Sequence, residues 1–125
     1  MNGDGKLDLA VANIDGNGVS VLLATGAGKF AATRSFSACT YPSSVLAGDF
    51  DLDGRQDLAV SCEISSTVVL LVGFGDGMFF PAQQVIGKRG AGPLALGDVN
   101  GDGKLDAAVS AQGLGISSVF LNATP

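Results

Sequence analysis

Histidine and tryptophan are absent from the 125 residues, tyrosine occurs once (Tyr41) and glutamate once (Glu63). Without histidine, no Ser-His-Asp or Cys-His nucleophile site and no imidazole metal ligand can be built. Cysteine is limited to Cys39 and Cys62, which form no CxxC pair. No apolar run approaches the ~20 residues of a membrane helix, so no membrane insertion is expected. The opening Met1-Asn2-Gly3-Asp4-Gly5-Lys6 does not read as a signal peptide. Cations are scarce: 7 Lys+Arg stand against 12 Asp+Glu, a formal charge of −5. That balance argues against nucleic acid and anionic membrane surfaces as partners. Charged residues make up only 15% and hydrophobic ones 46%, which excludes a disordered acidic tail.

What the chain does have is glycine, 19 residues, and aspartate, which supplies eleven of the twelve acids. Aspartate in such excess over glutamate is the product of turns, caps and oxygen-ligand metal loops. Its placement is periodic. Asp4-Gly5-Lys6-Leu7-Asp8 returns 49 residues later as Asp53-Gly54-Arg55-Gln56-Asp57, and after another 49 as Asp102-Gly103-Lys104-Leu105-Asp106. The same offset relates Leu9-Ala10-Val11-Ala12 to Leu58-Ala59-Val60-Ser61 and Ala107-Ala108-Val109-Ser110, and Gly26-Ala27-Gly28-Lys29-Phe30 to Gly75-Asp76-Gly77-Met78-Phe79. The repeat units are 1–49, 50–98 and a partial 99–125.

Within one period, four short apolar segments bounded by Gly, Pro, Asp or Ser read as strands, near 43–49, 57–62, 67–72 and 78–86. The third, Thr67-Val68-Val69-Leu70-Leu71-Val72, is apolar nearly throughout and suits a strand buried on both faces. Four antiparallel strands in each ~40–50-residue repeat describe a propeller blade. The expected fold is therefore all-β, a β-propeller of about two and a half blades counted as three, four and three strands, which leaves the ring incomplete. The missing blades are expected either elsewhere in a parent chain or in other copies of this one.

Between the first and second strands of each blade lies the strongest chemical signal. The middle loop, Asp49 to Asp57, and the third, Asp98 to Asp106, follow D-x-[DN]-x-D-G-x-x-D. Oxygens at positions 1, 3 and 5 converge on the concave side of a tight loop, and glycine at position 6 permits the reversal. The carbonyl at position 7 then turns inward, and the aspartate at position 9 closes the shell. The expected metal ligands are Asp49, Asp51, Asp53, the Arg55 carbonyl and Asp57, then Asp98, Asn100, Asp102, the Lys104 carbonyl and Asp106. Hard oxygen donors without histidine or thiolate select Ca²⁺ over Zn²⁺ or Cu²⁺, and Mg²⁺ wants fewer protein ligands. The first loop keeps Asn2, Asp4, the Lys6 carbonyl and Asp8 but has no position 1, so it is expected to bind weakly or not at all. An EF-hand opens with the same string but needs a glutamate at position 12, where Val60 and Val109 stand, and flanking helices. Asp-Gly turns that bind nothing are the remaining alternative; three copies with the same alternating oxygens weigh against it.

The segment Ala47-Gly48-Asp49-Phe50-Asp51-Leu52-Asp53-Gly54-Arg55-Gln56-Asp57-Leu58-Ala59-Val60, with its copy at 96–109, resembles the FG-GAP/VCBS-type calcium-binding repeats of β-propellers, related to the integrin α-subunit propeller. The Gly75-Asp76-Gly77-Met78-Phe79 hairpin fits too. Phe-Gly and Gly-Ala-Pro signatures are not in place, since Phe74-Gly75 sits in another hairpin and Val60 is followed by Ser61-Cys62. The likeness is thus to the bacterial-type branch. It implies calcium as a structural cofactor and an extracellular or cell-surface location.

The cysteines leave two readings open. If Asp49 and Asp57 flank the hairpin, Cys62 faces Ser44, five residues after Cys39, which allows a disulfide; two separate buried thiols are the alternative. Asn122-Ala123-Thr124 matches a glycosylation acceptor, a short and weak pattern. Lys88 and Arg89 read as solvated bases, and Phe30, Phe79 and Phe80 as packing between blades. No serine has a candidate base. The expected function is a non-catalytic calcium-binding propeller segment of a secreted or cell-surface protein, an adhesion or interaction module whose protein or glycan ligand is open. A carbohydrate-binding module appended to a secreted enzyme is the alternative, against which stands the shortage of aromatic platforms. An enzyme whose site needs further blades has no residue here to support it.

Overall fold

A computed structural model describes residues 1–64, 67–81, 83–87, 91–111 and 116–120. Lys88, Arg89 and the Asn122-Ala123-Thr124 pattern lie outside the described residues. The described chain is all-β. Its strands are β1 (Leu9–Asn13), β2 (Gly18–Leu22), β3 (Ala24–Gly26), β4 (Lys29–Phe30), β5 (Arg34–Ser37), β6 (Pro42–Gly48), β7 (Asp57–Cys62), β8 (Thr67–Leu71), β9 (Gln83–Gly87), β10 (Ala91–Gly97), β11 (Asp106–Ala111) and β12 (Ile116–Phe120). They form antiparallel sheets in the orders β1-β2-β5, β6-β7-β8-β9 and β10-β11-β12, with β3-β4 as a separate hairpin. The expected three, four and three strands are thus present as consecutive neighbours, the arrangement of adjacent propeller blades without ring closure.

Period-two alternation assigns each face of the central sheet to a different neighbour. Every residue of β7 is buried. On one face Leu58, Val60 and Cys62, with Val69 and Leu71 of β8, pack with Val19 and Val21 of β2 and with Leu23. On the other, Ala59 and Val68 pack with Phe50 and Leu94, flanked by Leu46, Leu96 and Leu105. Phe36 of β5 meets Phe79 edge-on, with ring centroids 5.2 Å apart, and the Arg34 guanidinium donates to the Asp76 carbonyl at 3.0 Å. Fully burying each Leu or Val here is worth roughly 1.5–3 kcal/mol, so the seams between sheets carry much of the stability.

Three expectations are corrected. The β6-β7 register pairs Asp57 with Gly48 and Val60 with Val45, one residue away from the expected ladder, and slips again so that Cys62 faces Pro42. Position 1 of the loop lies outside the ladder, and a bulge at Ser43 absorbs the second slip. The fourth strand begins at Gln83 and not near 78, because residues 73–80 form their own small hairpin: Gly73 bridges Phe79, and the Phe80 N–H donates to the Val72 carbonyl at 2.8 Å. Its counterpart one repeat earlier is β3-β4, where the Ala31 N–H donates to the Leu23 carbonyl at 2.8 Å. Pro81 lacks an N–H for a ladder and separates this hairpin from β9. Finally, Phe79 is core but Phe80 is 46% exposed, and Phe30, the equivalent of Phe79 in the first repeat, is 41% exposed with no preceding sheet among the described residues to pack against.

Cys39 and Cys62 are joined, with Cα atoms 6.0 Å apart. The bond ties the connection between β5 and β6 to the end of β7, and so staples the first blade to the second. By the chain-entropy argument, a loop with a sequence separation of 23 contributes about 3 kcal/mol. Thiol titration of the native, unreduced chain should therefore find none. Reduction should lower the unfolding free energy by about that amount; two titratable thiols would contradict the bridge.

Candidate metal centre

Each loop is shaped by its own carboxylates. Asp49 accepts the N–H groups of Asp53 (3.1 Å) and Gly54 (2.8 Å). Asp98 repeats this with Asp102 (3.1 Å) and Gly103 (2.8 Å). The position-5 aspartates each accept the N–H two residues on: Asp4 from Lys6, Asp53 from Arg55 and Asp102 from Lys104, at 2.8–3.0 Å. These Asx turns need two left-handed residues. Position 6 is glycine in all three loops, with φ of 77°, 84° and 83°. Position 4 is Gly3, Leu52 and Gly101, with φ of 74°, 61° and 77°. Leu52 alone carries a Cβ into that conformation, and its side chain gains little in return, being 54% exposed.

The ninth position anchors the loop. Asp57 is fully buried; one of its oxygens accepts the Phe50 N–H at 2.9 Å and the other the Gly73 N–H at 2.8 Å. It thus joins the β6-β7 loop to the chain leaving β8. Gly73 has to be glycine, since a Cβ there would run into the Gln56 carbonyl. Asp106, 2% exposed, accepts the Val99 N–H at 3.0 Å, and Asp8 accepts the Ala24 N–H at 2.9 Å. Burial pushes the Asp57 carboxyl up from its ordinary pKa, against the pull of the Gly73 and Phe50 amides. Asp51 is pushed up by burial and by the charge of Asp57. For Asp8, burial alone would raise the pKa, but the ammonium of Met1, hydrogen-bonded to it, and the Ala24 amide outweigh that, and the net shift is downward.

The structure brings Asp49, Asp51 and Asp57 together, each with one oxygen within 4.8 Å of the others, and does the same for Asp98, Asp102 and Asp106. A separation up to 4.8 Å is what ligands about 2.4 Å from a shared Ca²⁺ allow. Uncompensated, such oxygens repel by about 1–4 kcal/mol per pair. Asn100 Oδ1 accepts the Asp102 N–H at 3.2 Å, inside the third loop. Asp53 is drawn partly aside, one of its oxygens lying 3.9 Å from the Arg55 guanidinium. The first loop offers two carboxylates, Asp4 and Asp8. There the position-3 oxygen, Asn2 Oδ1, is buried with no hydrogen-bond partner. An orphaned acceptor at a ligand position, and two oxygen clusters of matching span, fit a hard divalent cation. The side chains of Arg55 and Lys104 are not needed for this, since position 7 donates through its carbonyl.

Sequence reasoning missed Gly73 and Ala24 as partners of the ninth aspartate. The 49-residue offset between them was the available signal, for both follow the third apolar segment by the same count. It also missed that Phe74 and Phe80 stack, centroids 4.1 Å apart, in a partly exposed pair.

A family model described as FG-GAP-like repeat matches residues 1–60 and again residues 53–109. Comparison with curated proteins and with solved structures returns no match to either set.

The loop geometry makes a direct prediction. Leu52→Gly should raise stability by about 0.5–1 kcal/mol, the relief of left-handed strain exceeding the entropy glycine adds to the unfolded chain. Denaturant midpoints of the two chains check this, and a lower midpoint for the variant would contradict it.

Proposed function

This chain belongs to the FG-GAP-like repeat family, and from that premise we propose that it is a non-catalytic, calcium-stabilised β-propeller segment of a secreted or cell-surface protein, serving as an adhesion or interaction module. The observation that carries the proposal is a three-carboxylate cluster in the same loop of two blades, Asp49-Asp51-Asp57 at positions 1, 3 and 9 and Asp98-Asp102-Asp106 at positions 1, 5 and 9. Asp53 and the Arg55 carbonyl would complete the middle shell, and Asn100 and the Lys104 carbonyl the third. Asn2, Asp4, Asp8 and the Lys6 carbonyl would form a weaker site. Calcium in this scheme neutralises mutually repelling carboxylates and fixes the turn between first and second strands; it takes no part in a reaction. Two ions would bring the formal charge from −5 to −1. The disulfide is compatible with an oxidising, extracellular setting, and no helix among the described residues is long and apolar enough to cross a membrane.

The partner surfaces include further blades. Leu9 and Val11 are 47% and 45% exposed, whereas their equivalents one repeat on, Leu58 and Val60, are completely buried against the preceding sheet. At the other end Val99 is 62% exposed, whereas its equivalent Phe50 is 8% exposed and packed between sheets. Each outer face thus has the composition of a seam, and the reading fills both with propeller blades, in the parent chain or in other copies of this one.

The test is thermal unfolding of the chain stripped with EDTA and then supplied with excess Ca²⁺. Calcium should raise the midpoint by several degrees and Mg²⁺ should do so far less. Asp49→Ala with Asp98→Ala should abolish the shift. A midpoint indifferent to both ions would remove the metal from the proposal.

A second prediction concerns the seams. Leu9→Asp with Val11→Asp should leave the unfolding free energy within about 1 kcal/mol of the parent, as surface substitutions do, while Leu58→Asp should unfold the chain. Equal effects would contradict the assignment of the outer face.

A further inference from the structure

Between the first and second loops lies a cleft of about 360 Å³ whose lining includes Gly3, Gly5, Lys6, Arg55, Gln56 and Phe74. Its charge runs against the rest of the molecule. In a chain of net charge −5, two of the seven Lys and Arg residues line this one cleft, and no carboxylate does among the described residues. Neither cation is required by the loops that carry it, because position 7 serves a metal through its carbonyl. Lys6 is exposed and extends its ammonium to the Thr25 carbonyl at 3.3 Å. The stem of Arg55 runs along Gly75, where a Cβ would sit 3.3 Å from Arg55 Cδ, and among the described residues its guanidinium has only the 3.9 Å approach of Asp53. Phe74 adds an aromatic surface 44% exposed, its ring centroid 4.1 Å from that of Phe80. Glycines at loop positions 4 and 6 of the first repeat hold no side chain over the opening.

A planar fork and an ammonium that match a carboxylate, beside a partly exposed aromatic ring in a cleft of ligand size, suit an anionic group attached to a ring. We propose that this cleft binds a uronate-bearing oligosaccharide, its carboxylate on Arg55 and Lys6 and a sugar ring against Phe74. The inference rests on the interaction-module reading above and names the partner class. It also couples binding to the loop beside it. In the proposed middle shell Asp53 would be the position-5 ligand, so a cation there would draw away the carboxylate that lies 3.9 Å from Arg55 and free the guanidinium for the sugar.

Calorimetric titration of the full chain with a hyaluronan hexasaccharide tests the proposal, with chitohexaose as the neutral ring control and poly-glutamate as the polyanion control. The calcium-loaded chain should bind the hexasaccharide at least tenfold more tightly than either control, and EDTA should weaken that binding. Arg55→Ala and Phe74→Ala should each lower affinity at least tenfold, and Phe74→Ala should keep the calcium-induced shift in melting midpoint. Absent binding by a chain that still shows its calcium shift would overturn this proposal and leave the interaction-module reading standing. Equal binding of poly-glutamate or chitohexaose, or unchanged affinity in either variant, would overturn it as well.

Discussion

A buried aspartate holds the middle blade's first turn to the exit of its third strand. Asp57 sits at the start of β7 with no solvent exposure and spends both carboxylate oxygens on backbone amides, Phe50 in the turn and Gly73 beyond β8. Removing it would leave two amides without partners, at about 1–3 kcal/mol each. The same aspartate is also a corner of the oxygen cluster with Asp49 and Asp51. One side chain therefore couples the hairpin, the exit of the third strand and the metal-binding geometry. Its burial disfavours the charged form, and a cation in the cluster is the counter-charge that such a placement calls for.

From this anchor the packing follows. With the turn fixed, β7 and β8 present alternate residues to opposite sheets, Leu58 and Val60 one way and Ala59 and Val68 the other. The seam has no slack at Gly48, where a Cβ would come within 2.5 Å of Leu105 of the next loop. Gly97, the equivalent position in the third repeat, meets nothing within 4 Å. Loops on one rim and seams between sheets are thus the same repeating unit seen from two sides, and the cleft lined by Lys6 and Arg55, lying between two loops, lies between two blades.

Much of this was legible in the sequence because it is periodic. A 49-residue offset fixes which residues are equivalent, and alternating oxygens around a glycine state the loop geometry without reference to the rest of the fold. Strands β7 and β8 were readable to within a residue, since uninterrupted apolar runs such as Thr67 to Leu71 have few other uses. Features set by pairing were not. The β6-β7 register depends on whether the first loop residue joins the ladder, and nothing in Asp49 itself says that it does not. The start of β9 is fixed by a hairpin whose ends, Gly73 and Phe79, meet only after the chain folds. The cysteines stand 23 residues apart in sequence, and which of the two readings holds depends on the turn between β5 and β6. Phe80 stacks on Phe74 and stays partly exposed, which the shared phenylalanine of the repeat, Phe30 and Phe79, did not disclose.

Calcium in the aspartate clusters of the second and third loops is what the reading rests on. Calorimetric titration of the metal-stripped chain with Ca²⁺ counts the sites directly. Two tight sites per chain, joined at most by one weaker site for the first loop, are what the geometry of Asp49-Asp51-Asp57 and Asp98-Asp102-Asp106 predicts. No measurable heat, or a single site unaffected by Asp98→Ala and by Asp49→Ala, would contradict it.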